Sequence, residues 1–188
     1  MEGTLTSEPP KAAPKDKLKE HLALLKGFNN TTPFTLDAKI DLDDWFNTAV
    51  NADSRVDKRK LSDFRFLKRE LAKLFHACAI LAKELPGDYG ATTPQKLWET
   101  NLHPKHPKWD MMPHSLSESE IGCPVSVLQY FFQNKALDEW LNILEEFDDA
   151  AISFNNDFFE CFEHSGEIYL IRDQLHKLLD AAFLIALA

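Results

Sequence analysis

The chain has 188 residues, enough for one ordinary domain, and its 44% hydrophobic and 27% charged content is that of a folding sequence. A formal net charge of −9 excludes nonspecific affinity of the chain as a whole for nucleic acid or for an acidic membrane surface. Gly is scarce at 6, which argues against many tight turns, while 14 Phe and 4 Trp supply large side chains for a core.

Residues 1–14 carry Pro9, Pro10 and Pro14 among small polar residues and read as a flexible tail, without the hydrophobic run of a signal peptide. The remainder, 15–188, reads as a single helical domain. From Lys15, Leu18, Leu22 and Leu25 recur at helical spacing, with Gly27 as a stop signal. Leu36, Ile40, Trp45 and Ala49 predict a short helix or two half-helices. Ser54 followed by Asp57 reads as an N-cap with an acid in the first turn. The helix that follows has the longest apolar stripe: Leu61, Phe64, Leu67, Leu71, Leu74, Phe75, Cys78, Leu81 and Leu85, ended by Pro86-Gly87.

Residues 86–123 break that pattern. Thr93-Pro94 is a start signal for a short helix through Asn101, and Ser117 with Glu120 forms a capping-box pattern that Gly122 and Pro124 soon interrupt. From Pro124 to about Asn155 the chain reads as helical again, with a bend near Asn134. Its stripe is Leu137, Trp140, Leu141, Leu144, Phe147, Ala151 and Phe154. Residues 158–171 admit two readings, a continued helix or a small hairpin turning at 164–167. The last segment is helical on Ile171, Leu175, Leu178, Ala182 and Ile185. Its apolar end fits either the monomer's own core or a dimer interface. The expected fold is therefore all-α: a bundle of about five or six helices with a long Pro-rich crossover loop.

Three cysteines at wide spacing, Cys78, Cys123 and Cys161, form neither a disulfide framework nor a CxxC site, and free thiols suit a reducing compartment. No stretch approaches the roughly 18 uninterrupted apolar residues of a membrane helix. The expectation is a cytoplasmic protein that makes no membrane contact.

The segment NLHPKHPKWDMMPHS, residues 101–115, holds His103, His106 and His114. Three imidazoles could supply a zinc site, with Asp110 as a fourth ligand or as a ring-orienting partner. Against this, Pro104 and Pro107 bias the residues before them toward extended geometry, which points the rings of His103 and His106 apart. Two other roles suit the segment. It is a stiff brace pinned by Trp98, Leu102, Trp109, Met111 and Met112, or it is a recognition surface built from Trp98, His103, His106, Trp109, Met111 and Met112. The exposure of Trp109 separates them.

Charge is split along the chain. Stretch 55–73 holds Arg55, Lys58, Arg59, Lys60, Arg65, Lys68, Arg69 and Lys73 against only Asp57, Asp63 and Glu70, whereas 115–188 is strongly acidic. The two regions face each other in one bundle, or the basic stretch offers a face to a nucleic acid or an acidic protein. Arg69 and His76, seven apart on the longest helix, have a spacing that resembles the catalytic Arg-x6-His motif of HEPN-type ribonucleases. The resemblance covers those two residues, and it implies His76 as general base on a ribose 2′-OH and Arg69 as stabiliser of phosphate charge. Asp173, His176 and Asp180 line the helix side opposite the last apolar stripe, and the expectation there is a solvated face.

These features add up to a non-enzymatic helical interaction or accessory protein with a protein partner and no cofactor, self-association being an option. The alternative is a hydrolase, either HEPN-like through Arg69 and His76 or metal-dependent through the loop histidines. A nucleic acid bound through 55–73 is the lesser partner.

Overall fold

The computed structural model describes residues 14–31, 34–50, 58–100, 109–152 and 165–188. Among them are eight α-helices and one 3-10 turn, and no strand. The helices are α1 (Pro14–Thr31), α2 (Phe34–Val50), α3 (Lys58–Glu84), α4 (Pro94–Glu99), α5 (Glu118–Ile121), α6 (Pro124–Asn134), α7 (Leu137–Ile152) and α8 (Ser165–Leu187). The 3-10 turn η1 spans Trp109–Met111. The fold is an all-α bundle, as the three-and-four spacing of apolar residues predicts.

The two longest helices, α3 and α8, organise the bundle. Helices α1, α2 and α6 each pack against both of them, and α7 packs against α3 and α2. The α3 stripe is buried as expected, with Leu67, Leu71, Phe75, Cys78 and Leu81 at the centre of the core. Burial of such stripes is the main stabilising contribution, roughly 25 cal/mol per Å2 of apolar area. It also pushes the Cys78 thiol well above its ordinary pKa, because a thiolate there would be fully desolvated.

Two aromatic clusters fix how the helices cross. Trp140 stacks on Phe131 with ring centres 4.0 Å apart and planes 10° from parallel, and Phe75 meets both edge-on. The Trp140 indole N–H donates to the Phe131 carbonyl at 3.0 Å. That bond closes the corner between α6 and α7 onto α3. Elsewhere Trp45 on α2 stacks against Phe64 of α3 and tilts against Phe147 of α7, which also meets Phe46.

Local signals act where they were read. Thr93 caps α4, its side chain accepting the Lys96 N–H at 3.2 Å with Pro94 at the first helical position. Ser117 and Glu120 form a reciprocal capping box on α5. Pro124 opens α6. Gly90 has a φ of +75°, and a Cβ there would lie 3.2 Å from the Ile185 Cα and the Leu184 carbonyl oxygen. Only glycine lets the turn after α3 lie this close to the end of α8.

Several expectations are corrected. Gly27 does not stop α1, which runs on to Thr31, and α2 is one helix rather than two halves. The bend near Asn134 is a full break, with Lys135 extended between α6 and α7. The count of five or six helices falls short of the eight among the described residues, in part because α6 and α7 are two helices rather than one bent one. Residues 165–171 are the first turns of α8, so the hairpin reading of 158–171 fails on its second arm. Residues 1–13 of the expected tail, Ser54, Cys161 and the 153–164 stretch lie outside the described residues. The apolar end of α8 lies in the monomer's own core, with Phe183, Leu184, Ile185 and Ala186 buried. No helix among the described residues is long and apolar enough to cross a membrane.

The charge split is in part an intramolecular match. Lys68 on α3 reaches Glu145 at 2.6 Å and Asp148 at 2.8 Å on α7, and Lys60 reaches Asp44 on α2 at 2.8 Å. Burial pulls the Lys68 pKa down, but its hydrogen bonds and charge contacts with Asp148 and Glu145 outweigh this and leave it raised.

Trp140→Ala is expected to cost about 3–5 kcal/mol, because it opens a cavity in this aromatic cluster and leaves the Phe131 carbonyl with the 3.5 Å bond from the Lys135 N–H. Urea unfolding followed by circular dichroism would measure this. Tyr130→Ala, one position from the same cluster but exposed, should stay within about 0.5 kcal/mol of the parent.

Candidate functional site

The end of α8 is apolar on every side: Leu178, Leu179, Ala181, Ala182, Phe183, Leu184 and Ile185 are all buried. A helix of that kind has neighbours all round it. Its one carboxylate in this stretch, Asp180, is therefore buried too, at 2% exposed. A carboxylate so placed needs a cation and further donors, since its desolvation costs several kcal/mol. Lys39 of α2 supplies the cation at 2.6 Å, with its own side chain only 13% exposed. The Ser115 backbone N–H donates to the same carboxylate oxygen at 2.9 Å, and Lys39 also donates to Ser115 Oγ at 3.0 Å.

This three-way junction bolts the 109–116 segment to the bundle. Met111, Pro113 and Leu116 are buried beneath it. Turn bonds run from Met112 N–H to the Trp109 carbonyl at 3.1 Å and from Leu116 N–H to the Pro113 carbonyl at 3.1 Å. His114 Nε2 lies 2.7 Å from the Trp109 carbonyl oxygen, and its ring lies against the indole at 4.5 Å. Trp109 itself is 65% exposed.

Beside the junction a cavity of about 250 Å3 opens between three elements. Lys39, Ile40 and Asp43 line it from α2, Asp110 and Met111 from η1, Met112, His114 and Ser115 from the residues after it, and His176 and Asp180 from α8. His176 Nε2 lies 3.0 Å from Asp43 Oδ1, yet both atoms are buried without a well-aligned hydrogen bond. Burial lowers the His176 pKa, Lys39 and Arg172 push the same way, and the opposing pull of Asp43 does not offset them. His176 is thus neutral at pH 7.

The expected solvated face of Asp173, His176 and Asp180 is corrected accordingly. Asp173 is exposed, His176 is 17% exposed and Asp180 is buried. On the side opposite the Ile171, Leu175 and Leu178 stripe, Asp173 faces water, whereas His176 and Asp180 face α2 and the 109–116 segment. The signal for this was present in the sequence: no polar residue other than Asp180 interrupts the stretch from Leu178 to Ala188.

The other candidate residues are dispersed. Arg69 and His76 stand on the outer side of α3, where Arg69 is 64% exposed, contacts Glu70 at 3.3 Å and lies over the Phe66 ring. Neither lines the cavity. Of the proposed binding set, Met111 is buried, Met112 half-buried, and Trp98 and Trp109 exposed. His103 and His106 lie outside the described residues, so their convergence with His114 is not part of this geometry. Among the described residues no group of three His, Cys, Asp or Glu is placed to hold a metal ion. Comparison with protein-family models, with curated proteins and with solved structures finds no match to this chain.

Asp180→Ala should lower stability by about 3–5 kcal/mol, because it strands the Lys39 ammonium and the Ser115 N–H in a buried site. The double variant Lys39→Met, Asp180→Leu should recover most of that loss, and chemical denaturation of the single and double variants decides it. The pH dependence has a definite sign. With its folded pKa lowered, neutral His176 contributes stability that is complete above the ordinary imidazole value of about 6.5 and drains as pH falls from there toward the folded pKa. The groups facing His176 are Asp43 and Lys39 on α2, Arg172 and Asp180 on α8, and Asp110 and His114 on the segment. Unfolding midpoints of wild type and His176→Gln between about pH 8 and pH 5 should converge as the pH drops. A difference that stays constant would contradict a buried neutral imidazole.

Proposed function

We propose that the protein is a non-catalytic interaction or accessory factor that docks a protein partner on the surface around Trp109. One observation carries this reading: Trp109 is 65% exposed although the segment bearing it is anchored by buried side chains and a buried ion pair. A large aromatic ring held out to solvent on a rigid mount loses little further conformational entropy on binding, and tryptophan is enriched among the residues that dominate interface energies. Ile40, 56% exposed on α2, and half-buried Met112 line the adjacent cavity and extend the apolar surface. Trp98, exposed on α4, is a further candidate contact. The buried thiol of Cys78 is compatible with a reducing compartment, and the proposed location is the cytoplasm.

The hydrolase alternatives gain no support from this geometry. A ribonuclease using Arg69 and His76 needs both groups to converge on substrate within a concavity, and here they sit on an open helix face. RNA cleavage by purified protein that disappears in His76→Ala would restore that reading.

The docking reading is tested by comparing immobilised wild type, Trp109→Ala and Tyr130→Ala as baits in extracts of the source cells. Retained proteins would be quantified by mass spectrometry. Trp109→Ala should unfold within about 0.5 kcal/mol of wild type, because its ring is mostly solvated. It should nonetheless lose a set of proteins that wild type and Tyr130→Ala both hold. Identical retention on all three baits would remove the proposal.

A further inference from the structure

Helices α3 and α7 each carry a column of exposed polar residues on the outside of the bundle. On α3 the column is Arg65, Arg69, Lys73 and His76, and on α7 it is Asp138, Asn142, Glu145 and Asp149. Spacings of three and four residues put each set on one side of its helix. The two helices run antiparallel, because Lys68 reaches both Glu145 and Asp148 while Phe75 packs edge-on against Trp140. Continued along both helices, that register sets Arg65 level with Asp149, Arg69 with Glu145, Lys73 with Asn142 and His76 with Asp138. Each level thus offers a basic residue on α3 and an acidic or amide residue on α7. Within the protomer these levels are not paired across the two columns. Lys68, which faces α7, takes Glu145, whereas Arg69 and Lys73 share Glu70. Arg69 and Glu145 remain 64% and 65% exposed. Among the described residues Arg65, Asp138 and Asp149 take part in no ion pair.

We infer that this face is the interface of a homodimer, in which the α3 column of each protomer meets the α7 column of a second copy. A two-fold axis parallel to the two helices brings this about. It exchanges their left-to-right order and preserves height, so each level of one protomer meets the same level of the other. The contact is isologous. Arg69 pairs with Glu145 of the second copy and Glu145 with its Arg69, and Arg65 with Asp149 and His76 with Asp138 follow the same rule. The Lys73 ammonium donates to the Asn142 amide oxygen across the same interface. A two-fold axis running across the helices would instead set one basic column on another, which like-charge repulsion opposes. Nucleic acid is disfavoured, because the α7 carboxylates flank the basic column and repel phosphates. An unrelated acidic protein would answer the α3 column alone, whereas a second copy answers both columns at the matching spacing. Phe66 and Ile80, 42% and 37% exposed on the same side of α3, add apolar area. The contact is otherwise polar, so the dimer is weak and salt-sensitive.

Sedimentation equilibrium of the full chain at low ionic strength should show a reversible monomer–dimer equilibrium that shifts to monomer in high salt. Arg69→Glu and Glu145→Arg should each raise the dissociation constant about tenfold, since each reverses two symmetry-related pairs. Mixed one to one, the two variants should recover a dimer near wild-type affinity, because every facing pair is then one carboxylate and one guanidinium. Arg65→Glu and Asp149→Arg are the second such couple, in case the first perturbs folding, and circular-dichroism melts check folding for all four. Trp109→Ala should sediment as wild type, since the segment bearing it packs on α2 and α8 rather than on this face. A wild type that stays monomeric at every concentration overturns the inference. If that monomer binds oligouridylate or polyglutamate, the α3 column belongs instead to a nucleic acid or an acidic protein. A dimer indifferent to both couples of reversals, or one that Trp109→Ala abolishes, lies elsewhere and overturns the inference too. Losses in the single variants that mixing does not repair overturn the two-fold pairing.

Discussion

A single carboxylate sets the terms for one side of this bundle. Because α8 is apolar on all faces near its end, it must be enclosed, and enclosure buries Asp180 with it. An unpaired carboxylate there would be among the costliest groups in the protein. Lys39 and the Ser115 N–H are the answer, and each comes from a different part of the chain: α2 in one case, the segment after η1 in the other. The pair adds little net stability over an apolar replacement. Its effect is positional. It fixes where the 109–116 segment crosses α2 and α8, and hence where Trp109 and Asp110 sit.

The opposite side is held by different means. Helices α3 and α7 meet through Lys68 bridging Glu145 and Asp148, above a layer in which Phe64, Phe147 and Trp45 pack together. The pair with Glu145 is partly solvated and weak, whereas Asp148 is buried. The aromatic layer supplies most of the binding between the helices, and the charges select the register in which a basic helix meets an acidic one. This disposes of part of the positive charge of 55–73 within the molecule. The charge asymmetry of the sequence is thus matched across helices at Lys68.

The class of fold was legible because helical spacing is a local property. The stripe from Leu61 to Leu85, the cap at Thr93, the capping box at Ser117 and the start at Pro124 all depend on residues within a few positions of one another. What was not legible depends on distant partners. Asp173, His176 and Asp180 share one helix side by spacing, and spacing alone assigns that side to solvent. Whether another element covers it is decided by Lys39 and Ser115, which lie 141 and 65 positions before Asp180. The apolar run around Asp180 hinted at enclosure, since a helix end with no polar side has no water-facing side. The 101–115 segment was likewise half legible. Its prolines and methionines announced a stiff crossover, but nothing local told Met111, which is buried, from Trp109, which is not.

The exposure of Trp109 follows from the same anchor. Once Ser115 is held by Asp180, the turn at Pro113 and the bond between the Met112 N–H and the Trp109 carbonyl fix the direction in which η1 leaves the bundle. That direction buries Met111 and leaves the Trp109 indole outside. A cavity remains between η1, α2 and α8. A looser segment could collapse into that space and cover the ring, which would recover apolar burial at little entropic cost. The buried ion pair prevents this, because letting η1 move inward would break bonds to Asp180 that nothing else in the core replaces. Open apolar surface around Trp109 therefore persists because the polar junction beneath it is rigid.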